Sequence, residues 1–313
     1  MIVVLAGGVG AARFLQGIVR VVPQHELTVI ANTGDDREFY GLHVSPDIDI
    51  VMYTLAGIVD EAQGWGIQGD TTYTMQQLTR YGNEDWFLLG DRDLATHIHR
   101  TNLLRQGQSL SEVTKGFCQH LDLQLRILPM SDQRIETHIQ TPAGLIHFEE
   151  YLVKHRSEAE VQDVVFVGAQ DAKPSPGVID AIKGADAILI APSNPIVSIG
   201  SILAVPGIHD ALHEASGMIV AVSPIVGGMP IKGPADKLMR GMGVDVSAVG
   251  VARYYRDFLD VMIIDEQDAH LAEAIEDLGI PGVVTNTIMH DLDAKTSLAI
   301  ETLKAAGMAL DLT

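Results

Sequence analysis

The first thirty residues contain two short apolar runs separated by an amphipathic stretch. Residues 2–6 and 27–31 are apolar and rich in β-branched side chains, which predicts two buried parallel strands. Residues 11–22 repeat apolar positions at helical spacing, and a glycine-rich turn at 7–10 precedes them. A strand, a tight turn, a helix and a second strand, joined with right-handed connectivity, form the opening unit of a doubly wound sheet.

Helical patterns replace strand patterns over residues 47–105. Three amphipathic stretches occur there, and each ends at a glycine suited to the position just after a helix, namely Gly57, Gly82 and Gly107. We therefore predict a helical insertion over residues 47–120 that covers the sheet.

Strand patterns return after the insertion. A strand is predicted at 123–128, and the segments 136–141 and 145–151, joined around Pro142-Ala143-Gly144, predict a hairpin inside a small antiparallel α/β annex at 123–160. Further strands are predicted at 163–167, 187–191, 218–223, 261–264 and 282–285, with helical stretches between most of them. The fold class is α/β: one Rossmann-like domain over residues 1–313, with a doubly wound, mainly parallel sheet.

Composition restricts the classes of partner. The 313 residues carry a formal net charge of -20, so nucleic acid and anionic membrane surfaces are not expected partners, and an anionic substrate needs a local source of positive potential. The single cysteine, Cys118, excludes an intramolecular disulfide and fits a cytoplasmic location. No apolar run is long enough to span a bilayer, and residues 1–10 lack the features of a signal peptide.

The glycine-rich turn is the first candidate site. Gly7, Gly8 and Gly10 allow a sharp turn in which backbone N–H groups point at an anion on the helix N-terminus, which predicts a phosphate site. The turn lacks the Gly-Lys-Ser/Thr ending of a Walker A loop, and Arg13 stands where the dinucleotide fingerprint has its third small residue. The alternative is a tight strand-to-helix turn without a ligand.

Acidic residues follow at the same edge of the predicted sheet. Asp35 and Asp36 come directly after the second strand, and Asp47 and Asp49 lie at a predicted helix start. Carboxylates gathered near a phosphate suit a hard cation such as Mg²⁺. In the alternative interpretation, Ser45 or Asp47 caps the helix and the other carboxylates are solvated.

Two further groups are candidates for substrate binding. His97 and Arg100 are three positions apart and can share a helix face, where they either hold a phosphate or the histidine moves a proton. A histidine at the surface or satisfied in the core is the alternative. Residues 193–200, after a core strand, offer hydroxyls and an amide for a nucleobase, ribose or phosphate, or simply form a proline-rich turn. Lys232, in a loop rich in glycine and proline, is a candidate phosphate contact.

Taken together, six ordered segments resemble the 2-phospho-L-lactate transferase family. That family makes the precursor of the deazaflavin coenzyme F(420) by joining a nucleotide-activated three-carbon acid to the deazaflavin Fo. The segments that carry the resemblance are LAGGVGAARFL at 5–15, NTGDD at 32–36, SPDID at 45–49, LGDRDLATH at 89–97, PMSD at 129–132 and APSNPIVSIG at 191–200. Val9 and the pair Ala11-Ala12 depart from the family's threonine- and proline-containing loops, which affects side-chain contacts to phosphate but not backbone contacts.

The resemblance implies a cytoplasmic, homodimeric, Mg²⁺-dependent enzyme with a Rossmann-like core. Its substrates are a guanosine-activated three-carbon acid and Fo, whose ribityl hydroxyl attacks the phosphorus next to the acid and releases GMP. The implied metal ligands are Asp35, Asp47 and Asp49; the implied catalytic residues are Asp49, Asp36 and Arg92; the implied substrate contacts are Gly7, Gly8, Gly10, Arg13, Thr33, Asp91, His97, Ser193, Asn194 and Ser198.

Two other functions compete with this interpretation. A nucleotide-sugar-binding regulator of the same fold would need the glycine loop but no carboxylate group. A nicotinamide-dependent dehydrogenase predicts a third small residue and one acidic ribose contact instead of Arg13 and clustered aspartates. Within the transferase family, these residues do not distinguish phospholactate, phosphoenolpyruvate and phosphoglycerate as the activated acid.

Overall fold

The structure is a computed structural model that describes residues 1–309. The first half of the chain contains β1 (Ile2–Ala6), α1 (Gly8–Val21), β2 (Leu27–Ala31), β3 (Arg37–Phe39), β4 (Leu42–Val44), α2 (Pro46–Leu55), α3 (Tyr73–Arg80), α4 (Asp91–Arg105), α5 (Leu110–His120), β5 (Arg126–Pro129), β6 (Glu136–Thr141) and β7 (Gly144–His147). The second half contains β8 (Asp163–Val167), α6 (Val178–Lys183), β9 (Ala187–Ile190), α7 (Gly200–Leu203), α8 (Ile208–His213), β10 (Met218–Val222), β11 (Ile225–Val226), β12 (Met229–Pro230), α9 (Ala235–Gly241), α10 (Ala248–Tyr254), β13 (Val261–Asp265), α11 (Ala272–Glu276), β14 (Gly282–Thr285) and α12 (Leu292–Ala305). The end of the predicted domain, 310–313, lies outside the described residues.

Seven parallel strands form the central sheet. Their order is β14-β13-β10-β9-β1-β2-β5. The chain first adds β2 and β5 on one side of β1 and later adds β9, β10, β13 and β14 on the other side. This reversal creates a switch point between β1 and β9, where open α/β sheets bind ligands at the carboxyl ends of their strands. The predicted Rossmann-like, doubly wound fold is confirmed.

Both faces of this sheet are covered, which explains why its strands are continuously apolar. Along β1, Val3 and Leu5 pack into one core cluster, and Ile2, Val4 and Ala6 pack into the other. Helices α1, α2 and α12 pack together on the second face. No helix among residues 1–309 combines the length and apolarity that crossing a membrane requires.

The segment between β2 and β5 contains the predicted helices. Helices α2, α3 and α4 each end two residues before a glycine with positive φ, at Gly57, Gly82 and Gly107. Glycine adopts this left-handed conformation without a Cβ clash, so the predicted helix ends are confirmed. The short antiparallel hairpin β3–β4 was not predicted.

A three-stranded antiparallel sheet, β7-β6-β8, forms beside the central sheet. The predicted hairpin around Pro142-Ala143 is confirmed, but its second strand was predicted to reach residue 151 and ends at His147. A π-helical turn, Glu150–Lys154, replaces the end of that strand. The strand Arg126–Pro129 pairs with β2 at the edge of the central sheet.

Candidate active site

A cavity of about 790 Å³ lies at the carboxyl ends of β1, β9 and β10. Its volume is within the range of small-molecule sites, and its position is the switch point of the sheet. The glycine loop, the starts of α2 and the 195–199 turn, part of α4, and the loops at 223–235 and 287–290 supply its walls. The annex contributes Phe148, Glu149, Leu152 and Val153.

The glycine loop is shaped by close packing as well as by backbone conformation. Only Gly8 has positive φ, at 72°. A Cβ on Gly7 would lie 2.6 Å from Ser198 Cβ, and a Cβ on Gly10 would lie 2.3 Å from the Pro192 carbonyl oxygen. Because Gly7 and Gly10 have no side chains, the loop packs directly against the segment that follows β9. The Gly8 amide faces the Asp47 carboxylate, whereas no side chain caps the following amides of α1, which lie at the cavity wall and are available to an anion.

Asn32 joins two of the predicted carboxylates. Its Nδ2 donates to Asp47 Oδ2 at 2.8 Å and to Asp35 Oδ2 at 3.2 Å, and its Oδ1 accepts from Ser201 Oγ at 2.6 Å. All four side chains are buried. Asn32 thus fixes Asp35 and Asp47 beside the glycine loop, as the shared sheet edge predicted, and the alternative of solvated carboxylates is wrong.

Glu149 adds a third carboxylate to this group, and we call Asp35, Asp47 and Glu149 the acidic group. Burial raises the pKa of Asp47 to about 7, and burial together with the charges of Asp47 and Asp36 raises the pKa of Glu149 to about 8. Burial, followed by the charges of Asp47 and Glu149, raises the pKa of Asp35 well above its ordinary value. Sequence reasoning missed Glu149, because only tertiary packing of the annex brings it to the sheet edge.

Asp35 and Asp47 of the acidic group suit a divalent cation, because Asn32 Nδ2 lies within 3.2 Å of an oxygen of each. The ligand atoms of all three members do not lie within 4.8 Å of one another among residues 1–309. Within the same residues none of the three forms an ion pair, and the neighbouring Arg37 pairs instead with Glu150 at 3.5 Å. Asp35 Oδ1 is buried without a hydrogen-bond partner. Buried carboxylates without a counter-charge are costly, and a hard cation that takes oxygen ligands removes that cost.

Asp49, unlike the members of the acidic group, has a positively charged partner. Its carboxylate accepts hydrogen bonds from both Nη atoms of the fully buried Arg100, and Nη1 lies 3.0 Å from Oδ2. His97 Nδ1 lies 3.7 Å from the same oxygen. His97 Nε2 in turn lies 3.3 Å from Asp93 Oδ2, and the Tyr53 hydroxyl donates to Asp93 Oδ1 at 2.7 Å. His97 and Arg100 share a helix face, as predicted.

Ligand atoms of Asp49, Asp93 and His97 lie within 4.8 Å of one another, which is close enough to share a metal ion. However, the Arg100 guanidinium already neutralises Asp49, and its positive charge opposes a second cation at that carboxylate. The structure therefore separates Asp49 from the predicted metal pair Asp35 and Asp47. Asp49 and His97 still line the cavity.

Four other predicted residues lie outside the cavity wall. Asp36 is buried and accepts from Ser45 Oγ at 2.7 Å, with His43 Nε2 at 2.9 Å, so it holds the start of α2. Ser45 consequently makes no capping bond, contrary to the capping alternative. The other three are Thr33, which is buried, Asp91, which accepts from the amides of Tyr73 and Thr74, and the exposed Arg92, which donates to the Gln68 carbonyl at 3.1 Å.

Ser193, Asn194 and Ser198 line the cavity as predicted. Ser193 Oγ accepts from the Gly7 amide at 3.4 Å. Asn194 Oδ1 accepts from the amides of Ile196 and Val197 and so caps the turn Pro195–Ile199, which is the role that the turn alternative gave it. The Ser193 and Ser198 hydroxyls and Asn194 Nδ2 are therefore the polar side-chain groups that this segment offers to a ligand.

Aromatic and aliphatic side chains form the opposite wall. Trp65, Trp86, Phe87, Phe148 and Leu152 all line the cavity. Phe87 stacks on Phe39 with ring centroids 4.0 Å apart, which fixes this wall against the β3–β4 hairpin. The cavity thus combines a polar floor, at the ends of the strands, with an apolar wall suited to a flat aromatic ring.

Known proteins match nearly the whole of this chain. A family described as 2-phospho-L-lactate transferase CofD matches residues 2–306. A phosphoenolpyruvate transferase of Streptomyces griseus is 48% identical over 97% of this chain and 98% of its own length. A 2-phospho-L-lactate transferase of Methanocaldococcus jannaschii is 40% identical over 98% of each chain.

A solved structure supports the fold alone. The UPF0052-family protein from Bacillus halodurans superposes with a TM-score of 0.67 over 96% of this chain and 98% of its own, at 16% identity. Matches over nearly the whole chain at 40–48% identity determine the family. This chain is a transferase that belongs to the 2-phospho-L-lactate transferase CofD family.

Proposed function

We propose that the chain transfers a phospho-three-carbon-acid group from its guanosine-diphosphate-activated form to the ribityl hydroxyl of the deazaflavin Fo, in coenzyme F(420) biosynthesis. The hydroxyl oxygen forms a bond to the phosphorus that carries the acid, the bond from that phosphorus to the GMP oxygen breaks, and the hydroxyl proton leaves. The products are a phosphodiester and GMP. As the family suggests, we also propose a cytoplasmic homodimer.

Phosphoenolpyruvate is the three-carbon acid that we favour. The relatives named phosphoenolpyruvate transferase, from Streptomyces, Nocardia and Thermobifida among others, are 42–48% identical to this chain. The archaeal relatives named 2-phospho-L-lactate transferase are 40% identical.

One observation carries the proposal: amides of the glycine loop and three buried, unneutralised carboxylates meet in one cavity. Phosphoryl-type transfer needs positioning and charge neutralisation more than covalent help from the protein. Asp35 and Asp47, oriented by Asn32, would hold Mg²⁺, which supplies charge neutralisation for the diphosphate oxygens. The glycine-loop amides hold phosphate oxygens.

The annex supplies the remaining chemistry. Glu149 lies between Phe148 and Leu152 on the cavity wall, so an acceptor ring packed against the apolar wall brings its side chain near this carboxylate. A proton acceptor works best when its pKa lies near the working pH, and burial holds the pKa of Glu149 at about 8. We assign Glu149 to accept the hydroxyl proton. Asp49 is held by Arg100, so we assign it to fix the start of α2 at the cavity wall and not to bind the metal.

The test is direct. Purified protein is incubated with Fo, Mg²⁺ and a guanylylated acid, and GMP and the phosphodiester are quantified by chromatography and mass spectrometry. We expect stoichiometric formation of both products, fastest with the phosphoenolpyruvate donor, and no turnover in EDTA. Parallel reactions with phospholactate and phosphoglycerate donors identify the acid. Tight nucleotide binding without GMP release under any condition would contradict the proposal and favour the regulator alternative.

A further inference from the structure

A second, smaller cavity of about 120 Å³ adjoins the main one beside the first turns of α1. Val9, Arg13, Ile50, Met289 and His290 line both cavities, so the two spaces are neighbours across Arg13. The acidic group does not line this smaller cavity.

Basic side chains from separate segments converge here. Arg13 comes from α1, Lys295 from α12 and Lys232 from the loop after β12. The Lys232 Nζ lies only 3.4 Å from the position that a Cβ on Gly64 would occupy, so this amine is against the loop that closes the smaller cavity. Such a gathering is unexpected by chance in a chain with 41 acidic and 21 basic residues.

These three cations form no ion pairs within the described residues, although Glu61 also lines the smaller cavity. Lys295 donates instead to the neutral Gln16 Oε1 at 2.6 Å. Burial, and then the charge of Arg13, lowers the pKa of Lys232. Burial also lowers the pKa of Lys295, with Glu61 opposing and Arg13 adding to the effect.

The contact between α1 and α12 brings Lys295 close to Arg13. Helix α12 lies so close to α1 that a Cβ on Gly17 would be 2.1 Å from the Lys295 carbonyl oxygen. This close packing fixes Lys295 one turn along α1 from Arg13. Cations that repel one another but are brought together by the fold attract an anion to the space between them.

We propose that Arg13, Lys232 and Lys295 form a second oxyanion subsite, which binds an anionic group of the donor other than the phosphate held by the glycine-loop amides. The assignment of the ligand to the donor rests on the proposed function. The activated donor carries three anionic groups, two phosphates and a carboxylate. One phosphate at the amides leaves a carboxylate or the other phosphate for the basic subsite, and both are oxyanions that Arg and Lys bind.

The experiment measures dissociation constants by the fluorescence of Trp65 and Trp86, which line the main cavity, with isothermal titration as a second readout. GDP is compared with GMP, and phospholactate with isopropyl phosphate, in which a methyl group replaces the carboxylate. Each pair is titrated in Mg²⁺ against the wild type, Lys232→Met and Arg13→Met. Lys232 is exposed, so Lys232→Met should fold even if another variant does not.

We expect Lys232→Met and Arg13→Met to weaken binding about tenfold or more, as loss of a charge-assisted hydrogen bond does. If the subsite takes the carboxylate, the preference for phospholactate over isopropyl phosphate disappears in the variants. If it takes a phosphate, the preference for GDP over GMP disappears instead. Lys232→Arg, which keeps the charge, should retain most of the affinity.

Lys115→Met is the matched control, because Lys115 is exposed on α5 outside both cavities and its removal changes the net charge equally. Unchanged dissociation constants for all four probes in both variants, at wild-type thermal stability, would overturn the subsite. Failure of the transferase function is distinguishable: the wild type would then bind the probes in a Lys232-dependent way but release no GMP from any donor.

Discussion

At the residue scale, Asp47 and Asp49 show how environment divides two similar side chains. They are two positions apart at the start of α2, and a helix directs such positions to different sides. Asp47 faces the glycine loop and Asn32, whereas Asp49 faces Arg100 on α4. One carboxylate therefore lacks a counter-charge, and the other has a complete one.

Replacement of each aspartate by asparagine should separate these roles. We expect Asp47→Asn to fold normally and to lose about 10²-fold or more in turnover, with a weakened Mg²⁺ dependence, because a charged group facing the reacting phosphates is removed. We expect Asp49→Asn to lose about 3–5 kcal/mol of stability, because Arg100 is left buried without its partner.

Thermal unfolding and Mg²⁺ titration of turnover measure both effects. In Asp49→Asn, the apparent affinity for Mg²⁺ in the remaining folded fraction should match the wild type. A wild-type melting temperature together with a weakened Mg²⁺ dependence in Asp49→Asn would return this residue to the metal site.

The sequence predicted the neighbourhood of the site better than its contacts. Chain topology places Asp35 at the sheet edge, because its segment follows β2 directly, and Asp47 comes shortly afterwards at the start of α2. The choice of partner was not predictable, since Arg100 reaches Asp49 from 51 positions away and Glu149 arrives through the annex. Arg92 lies near His97 in sequence but on the exposed side of α4.

At the element scale, the contact between α1 and α12 positions both the glycine loop and Lys295. Gly17 permits this contact, because its missing side chain leaves room for the Lys295 backbone. The two helices also carry part of the core on one face of the sheet, including Leu15, Ile18 and Leu303.

Gly17→Ala should therefore destabilise the protein, although alanine favours helices. A methyl group 2.1 Å from the Lys295 carbonyl oxygen forces α12 outward, and overpacking of this kind costs about 1–3 kcal/mol. Gly116→Ala is the control, because Gly116 lies within α5 and a Cβ there would have no neighbour within 4 Å.

Denaturant unfolding should show Gly116→Ala to be as stable as the wild type or more stable by up to about 1 kcal/mol. The same methyl group then has opposite effects at two helical glycines. Equal stability of the two variants would show that the α1–α12 contact relaxes at no cost.

Elements were predictable where one local pattern determines them. Strands such as β1 and β9 are buried on both faces and therefore read as uninterrupted apolar runs. The hairpin β3–β4 has three residues per strand and little alternation, so no periodic signal marked it. The predicted strand 145–151 continued too far because the apolar pattern does not distinguish a strand from the π-helical turn that follows His147.

At the scale of the whole molecule, charge is distributed unevenly around one cavity. In this acidic protein of net charge -20, three carboxylates and three basic side chains lie near the glycine loop and the first turns of α1, and none of the six forms an ion pair among residues 1–309. Because these carboxylates and basic side chains form no ion pairs, they do not stabilise the protein by themselves. They suit the donor that we propose, an Mg²⁺-bound nucleotide that contains a cation and several anionic groups.

The stability of the whole protein should consequently depend on pH and Mg²⁺ together. The folded-state pKa values of Asp47 and Glu149 are raised to about 7 and 8, above the value of about 4 for unfolded carboxyls. The folded state then binds more protons than the unfolded state between these limits, so the contribution of both groups is full below about pH 4 and is lost as pH rises through 7 and 8. If Mg²⁺ binds the deprotonated carboxylates, as we propose, it should raise the melting temperature more at pH 8.5 than at pH 5.5. Calorimetry with and without Mg²⁺ at both pH values tests this, and Glu149→Gln should flatten the metal-free pH dependence; an equal Mg²⁺ effect at the two pH values would mean that the cation binds elsewhere.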